Sequence, residues 1–144
     1  MSSNLLTILG SAARTASDVG AAVSIRNGAK GLIFFLKTTA EAHEAGDTLD
    51  VYIQELLPDG VTWNDFVHFT QVLGNGGHKL HVARVNCEVA PTTALGEAKD
   101  ATLGVGVNQG PVCPTIRAKW TIAQSGDVPA DANFEFSVTA QVVR

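Results

Sequence analysis

Apolar and polar residues alternate with a period of two through much of this chain. Leu49, Val51 and Ile53 fall on one side of an extended segment, and Asp50, Tyr52 and Gln54 on the other. Pro58-Asp59-Gly60 then turns the chain into a second β-branched and aromatic run, Trp63 to Leu73. Alternation on both sides of a Pro-Asp-Gly turn predicts two antiparallel strands, Thr48–Leu57 and Trp63–Leu73. The same pattern is clearest near the end of the chain. Ile116, Ala118, Trp120 and Ile122 share one face, and so do Phe134, Phe136, Val138, Ala140 and Val142. Each of these strands is expected to be half buried and half wet, as in antiparallel sheets with one solvated side.

Other segments complete the outline. Gly31-Leu-Ile-Phe-Phe-Leu36 is continuously apolar, which predicts a strand buried on both faces. Val23 and Ile25 are the inward pair of a strand over 21–26, and Asn27-Gly28 suits a tight turn, so 21–26 and 31–38 read as a hairpin. Residues 5–9 alternate weakly as a first strand. Thr39–Gly46 is a connection with at most one helical turn, being too short for a stable helix. Gly74-Asn-Gly-Gly77 is a loop before a strand at Lys79–Val85. Residues 86–115, with prolines at 91, 111 and 114, have no clear period. Two readings stand for them: an excursion that contacts a neighbour, or a poorly patterned strand at 101–107 flanked by turns.

The expected fold is therefore all-β, an antiparallel two-sheet sandwich or jelly-roll-like fold of seven to eight strands. Residues 1–20 form an N-terminal strand or arm, or else a frayed terminus. Residues 21–144 form a single β-sandwich domain with its irregular excursion at 86–115.

Composition narrows the function more than the fold. The 144 residues are 45% hydrophobic, enough for a packed core. No apolar run approaches the ~20 residues of a membrane-spanning helix, so no membrane partner is expected. Ten Lys and Arg against fourteen Asp and Glu leave a formal charge of −4, with the cations scattered. Arg117 and Lys119 share a strand face, but two solvated cations are no phosphate-binding surface, and no nucleic-acid partner is expected. Met1-Ser-Ser-Asn-Leu-Leu-Thr-Ile-Leu9 has no cation before its apolar residues, unlike a secretory leader, and this favours synthesis in the cytoplasm. Cys87 and Cys113 lack metal-ligand spacing; they are buried thiols in a reducing compartment, or one disulfide.

Candidate chemistry is sparse. The histidines are His43, His68, His78 and His81; His78 and His81 stand three apart, which on a strand places them on opposite sides. Gly74-Asn-Gly-Gly-His-Lys79 lacks the spacing of a phosphate loop, and Gly104-Val-Gly-Val-Asn-Gln-Gly110 misses the dinucleotide pattern by one residue. Both are read as turn glycines. The carboxylate pairs Glu41/Glu44 and Asp127/Asp131 lie in connections rather than at rigid facing positions. No nucleophile stands beside a recognisable base. The expectation is a non-enzyme with no catalytic, cofactor-binding or metal-ligating residues.

The pattern resembles a group of small head proteins of tailed bacteriophages. In that group a segment of the form R-x-G-x-K/R-G leads into an apolar strand; Arg26-Asn-Gly28-Ala-Lys30-Gly31 followed by Leu-Ile-Phe-Phe-Leu36 is similar to it. Thr48-Leu-Asp-Val-Tyr-Ile-Gln54, with Pro58-Asp-Gly60 and Trp63, resembles the group's next motif. Arg117-Ala-Lys-Trp120 and Phe134-Glu-Phe-Ser-Val138 occupy the places of its last two strands. The likeness covers most of residues 20–143, with 86–115 longer than the group's pattern. It implies a virion protein, a decoration or cement protein on the outer surface of the head, made in the host cytoplasm. Its partner would be the major capsid protein, and it would act as a homo-oligomer, with a trimer favoured. Two other functions remain open: a tail or head–tail joining protein, or a carbohydrate-binding sandwich with Trp63 or Tyr52 exposed in a groove.

Overall fold

A computed structural model describes residues 3–40, 44–126 and 132–144. Glu41, His43, Asp127 and Asp131 lie outside the described residues. The chain is all-β, with two antiparallel sheets packed as a sandwich. Among the described residues seven strands have six residues or more: β1 (Ser3–Arg14), β4 (Gly31–Ala40), β5 (Thr48–Leu56), β6 (Trp63–His68), β8 (Gly77–Asn86), β10 (Thr115–Ala123) and β11 (Phe134–Val143). Four two-residue strands complete the sheets: β2 (Asp18–Val19), β3 (Val23–Ser24), β7 (Val72–Leu73) and β9 (Gly106–Val107). One sheet runs β1-β11-β4-β8; the other runs β2-β10-β5-β6-β9, with β3 on β10 and β7 on β5.

The period-2 faces make the core. Leu32, Phe34 and Leu36 of β4, and Phe134, Phe136, Val138, Ala140 and Val142 of β11, face Leu49, Val51 and Ile53 of β5 and Ile116, Ala118 and Trp120 of β10. Trp120 meets Phe136 edge to face with centroids 5.6 Å apart, and Phe34 meets Phe66 at 5.8 Å. Both distances suit aromatic quadrupoles.

The β5–β6 hairpin closes as expected. Leu57 N donates to Thr62 O at 2.8 Å, and Gly60 adopts φ 75°. Asp59 Oδ1 accepts from Val61 N and Thr62 N, an Asx-type turn. The run from Trp63 to Leu73 is interrupted at 69–71, after which β7 rejoins the far end of β5 (Leu49↔Val72).

Two expectations need correction. The segment over 21–26 does not pair with 31–38. β3 pairs with β10 (Ile116↔Val23), whereas both edges of β4 are taken, by β11 and β8. Asn27-Gly28 turns the chain from one sheet to the other, with Gly28 at φ 88° and Arg26 at φ 61°. The side chain of Arg144 ties this crossing by donating to Ile25 O and Asn27 O. Ladders of nine and ten residue pairs on either side of β4 outweigh anything a two-residue strand can offer. Second, β4 is not buried on both faces. Its inner residues Leu32, Phe34 and Leu36 are fully buried, but Ile33 and Phe35 on the outer face remain partly exposed. In the N-terminal segment, β1 extends well past residue 9 and pairs with β11 from Ser3↔Val143 to Arg14↔Phe134.

Candidate interaction surface

Residues 87–114 fold back over the outer face of the larger sheet and are held there by side chains of its strands. Asp65, only 1% exposed on β6, is the main anchor. Its Oδ1 accepts from Ala101 N (3.0 Å) and from Gln54 Nε2 (2.8 Å); its Oδ2 accepts from Thr102 N (2.9 Å) and Leu103 N (3.1 Å). Gln54 also donates to Asp100 Oδ1 at 2.7 Å and accepts from Arg117 Nε at 2.8 Å. Lys119 Nζ donates to Asp100 Oδ1 at 2.7 Å, and these hydrogen bonds lower the Asp100 pKa. The Arg117 guanidinium lies 4.1 Å from the Trp63 ring centroid, a cation–π contact. Arg117 and Lys119, which pattern alone reads as free surface cations, thus belong to a clasp.

The clasp extends to His68, whose Nδ1 lies 2.7 Å from Leu103 O and whose Nε2 lies 2.9 Å from Asp50 Oδ1. Its ring stacks on Tyr52 at 4.1 Å. Tyr52 is buried, and its pKa is raised by burial first and then by Asp50 and Asp65. β9 completes the cover by pairing with β6 (Val67↔Val107). Of the 101–107 strand, then, only Gly106–Val107 forms. Backbone amides caught by carboxylates replace the missing ladder, which satisfies their donors without any period-2 pattern.

A cavity of about 330 Å³ remains between the excursion and β5–β6, walled in part by Glu55, Asn64, Phe66, Pro91 and Gln109. Its polar walls are already engaged. Glu55 accepts from Cys113 N and Asn64 Nδ2, and Asn64 Oδ1 accepts from Lys99 N. Both cysteines are free thiols. Burial, aided by Glu55, pushes the Cys113 thiol up to about 11, and burial with Glu55 and Glu88 raises Cys87. Neither is a poised nucleophile near neutral pH.

The glycine-rich stretches are turns. Gly76 N donates to Leu73 O, and Gly77 opens β8 with φ 72°. Gly110, at φ 117°, packs so closely that a Cβ would meet Pro91 Cα at 2.9 Å. His78 and His81 face opposite sides of β8. His78 Nδ1 is 3.1 Å from Thr39 Oγ1 on the outer face. His81 lies on the inner side opposite Leu36, and its buried Nδ1 has no hydrogen-bond partner among the described residues. Burial first, then Lys79, lowers the His81 pKa.

The outer face of the smaller sheet is unlike the rest of the surface. β11 presents Glu135, Ser137, Thr139 and Gln141 outward, as a solvated strand should. The neighbouring β4 and β8 present Ile33 beside Arg84, Phe35 beside Val82, and Lys37 beside Leu80. Leu80 is 63% exposed and Val82 43%. A groove of about 600 Å³ continues this patch, lined by Lys30, Ile33, Arg84, Glu88, Val89 and Val143 among others. On this face β4 and β8 carry two cations, Lys37 and Arg84, and no carboxylate, in a chain of net charge −4, and Lys79 stands on the opposite side of β8. Sequence reasoning missed this surface because it took the apolar run of β4 as buried on both sides. The signal was there in Leu80 and Val82, two exposed-register apolar residues on the strand paired with it.

No family model matches the chain, and no curated protein matches it. Among solved structures, it is similar to a chain in the structure of infectious bursal disease virus, Gt strain. The TM-score is 0.57 at 12% identity, over 99% of this chain and 33% of that one. The likeness is one of fold, and this chain spans about a third of the viral chain's length.

Proposed function

We propose that the chain is a structural protein of a virion, a β-sandwich that binds the outer surface of a tailed-phage head as a decoration or cement protein. The observation that carries this proposal is the exposed apolar face of β4 and β8 with Lys37 and Arg84 beside it, on a sandwich whose buried Gln54 and Asp65 are engaged in holding its own excursion. Exposed apolar surface ringed by polar groups is how protein–protein contacts are made. The fold shared with a chain of a virus structure supports a virion setting, and the motif likeness to phage head proteins points to the head surface. The major capsid protein is the partner, and the decorating unit is a homo-oligomer, with a trimer favoured. Weak contacts repeated over a lattice gain strength through multivalency. The role requires no catalysis.

The carbohydrate-binding alternative is disfavoured, since Tyr52 is buried and Arg117 occupies one face of the Trp63 ring. Purified protein mixed with undecorated, expanded heads should co-sediment with them. Absence of protein from the pellet at saturating concentration would falsify the capsid-binding role. Sedimentation equilibrium of the free protein tests the trimer, and a larger closed ring would favour the head–tail joining alternative.

A further inference from the structure

β8 ends its sheet, and no strand among the described residues hydrogen-bonds to its side facing away from β4. Part of that edge is closed by a side chain. Gln109 Nε2 donates to Arg84 O at 3.1 Å and Gln109 Oε1 accepts from Asn86 N at 2.5 Å, so the amide stands where a neighbouring strand's peptide would. Gly110 N adds a bond to Asn86 O at 2.9 Å. These contacts show that Arg84 and Asn86 direct their backbone groups outward. By the alternation of an antiparallel ladder, Leu80 and Val82 do the same. Neither has a backbone partner on that side among the described residues.

The exposed side chains of Leu80 and Val82 stand on the outer face next to Phe35 and Ile33. One stretch therefore combines an open hydrogen-bonding edge with an adjoining apolar strip. Natural sheets usually blunt such an edge with charge. Here the charge on the outer face is of one sign, Lys37 and Arg84, with no carboxylate in either strand.

We propose that the β8 edge at Leu80–Val82 accepts an added strand from a partner protein. The strand is an extended segment whose outward face carries two apolar residues flanked on that same face by carboxylates, with small polar residues at the positions between. Laid antiparallel, it exchanges two hydrogen bonds with each of Leu80 and Val82. Its apolar side chains extend the Phe35–Val82 strip, and the carboxylates that flank them on the same face meet Arg84 at one end and Lys37 beside Leu80. A second copy of β8 is the poorer occupant. Self-pairing with Leu80 opposite Val82 sets His78 against Arg84 and gathers cations from both copies. This inference rests on the proposed virion role and names the chemistry of the capsid segment that this surface takes.

The probe is a blocked heptapeptide whose outward face reads aspartate, valine, valine, aspartate, with threonine at the positions between and a lysine-for-aspartate control, titrated into the isotopically labelled full chain. The expected result is amide shift changes centred on Leu80 and Val82, with the acidic peptide favoured about tenfold at low salt. Lys37→Glu with Arg84→Glu, both surface changes, should abolish or invert that preference. Leu80→Pro removes one edge N–H at a position where an edge strand tolerates proline, and should weaken binding at least as much. Equal binding of the two peptides, no change at Leu80 and Val82 at millimolar peptide, or a dimer that protects these two amides would each overturn the proposal. The two proposals also part in the head-binding assay. Heads that bind wild type and Leu80→Pro equally would remove the edge and leave the virion role. Heads that bind neither, while the acidic peptide still docks, would remove the virion role and leave the edge.

Discussion

Replacing Asp65 by asparagine is the sharpest test of how the excursion is held. The carboxylate accepts four hydrogen bonds, two at each oxygen, and three come from consecutive backbone amides of residues 101–103. Asparagine keeps the shape but turns one acceptor into a donor, so two of the four bonds become donor–donor contacts. Hydrogen bonds to a charged acceptor are worth about 1.5–3 kcal/mol each, which puts the direct loss at about 3–6 kcal/mol. The excursion can lift away and return its amides to water, which caps the cost. A destabilisation of about 3 kcal/mol is expected, a large fraction of a domain's usual 5–15 kcal/mol. Urea unfolding measures the total, and hydrogen exchange localises it. Amides of Ala101, Thr102 and Leu103 should lose protection while those of β4 and β11 keep theirs. An unchanged urea midpoint with undiminished protection at 101–103 would refute the idea that this carboxylate anchors the loop.

Four further outcomes follow from the same geometry. Trp120→Ala removes a buried ring that packs on Phe136 and donates from Nε1 to Ala16 O, and should cost about 3–5 kcal/mol in urea unfolding. Arg117→Lys keeps the charge but loses both the planar contact with Trp63 and the Nε bond to Gln54, and a loss of about 1 kcal/mol is expected. His81 has its pKa lowered in the folded chain, so below the ordinary value of 6.5 the unfolded state takes up the proton first. Stability should therefore fall as pH drops through and below 6.5, and urea midpoints of His81→Gln should fall less over that window. Cys113, pushed up to about 11 from 9.0, stays a thiol in the folded chain where an unfolded thiol ionises. At pH 9 mass spectrometry should show it alkylated about tenfold more slowly than in urea, and this residue's contribution to stability should be lost as pH rises from 9 through 11.

The outline of the sandwich was legible wherever one face of a strand meets the core. β5, β10 and β11 carry the strict alternation that burial on one side demands, and the pattern places their inward residues correctly. The Asp59-Gly60 turn was legible because its chemistry is local. Strand partners were a different matter. Val23 and Ile25 alternate as a strand should, yet nothing local shows that β3 lies on β10 across the sequence. Nor does the pattern of β1 show that it pairs with β11 at the other end of the chain.

The interaction surface and the clasp were less legible still. An apolar run such as Ile33–Phe35 looks the same whether its outer face is covered by the chain or left for a partner. Only the position of β8 at the sheet edge separates the two cases. Asp65, Gln54 and Arg117 look like the wet side of their strands until residues 99–103 are seen lying across them.

Local alternation and turn chemistry thus specify which segments are strands and which side chains point inward, because both follow from backbone geometry a few residues long. Which strands are neighbours, which outward faces become buried, and which edge stays open depend on contacts between residues far apart in the chain. Those contacts are chosen by the sum of packing and hydrogen bonding over whole sheets, a quantity no short window contains.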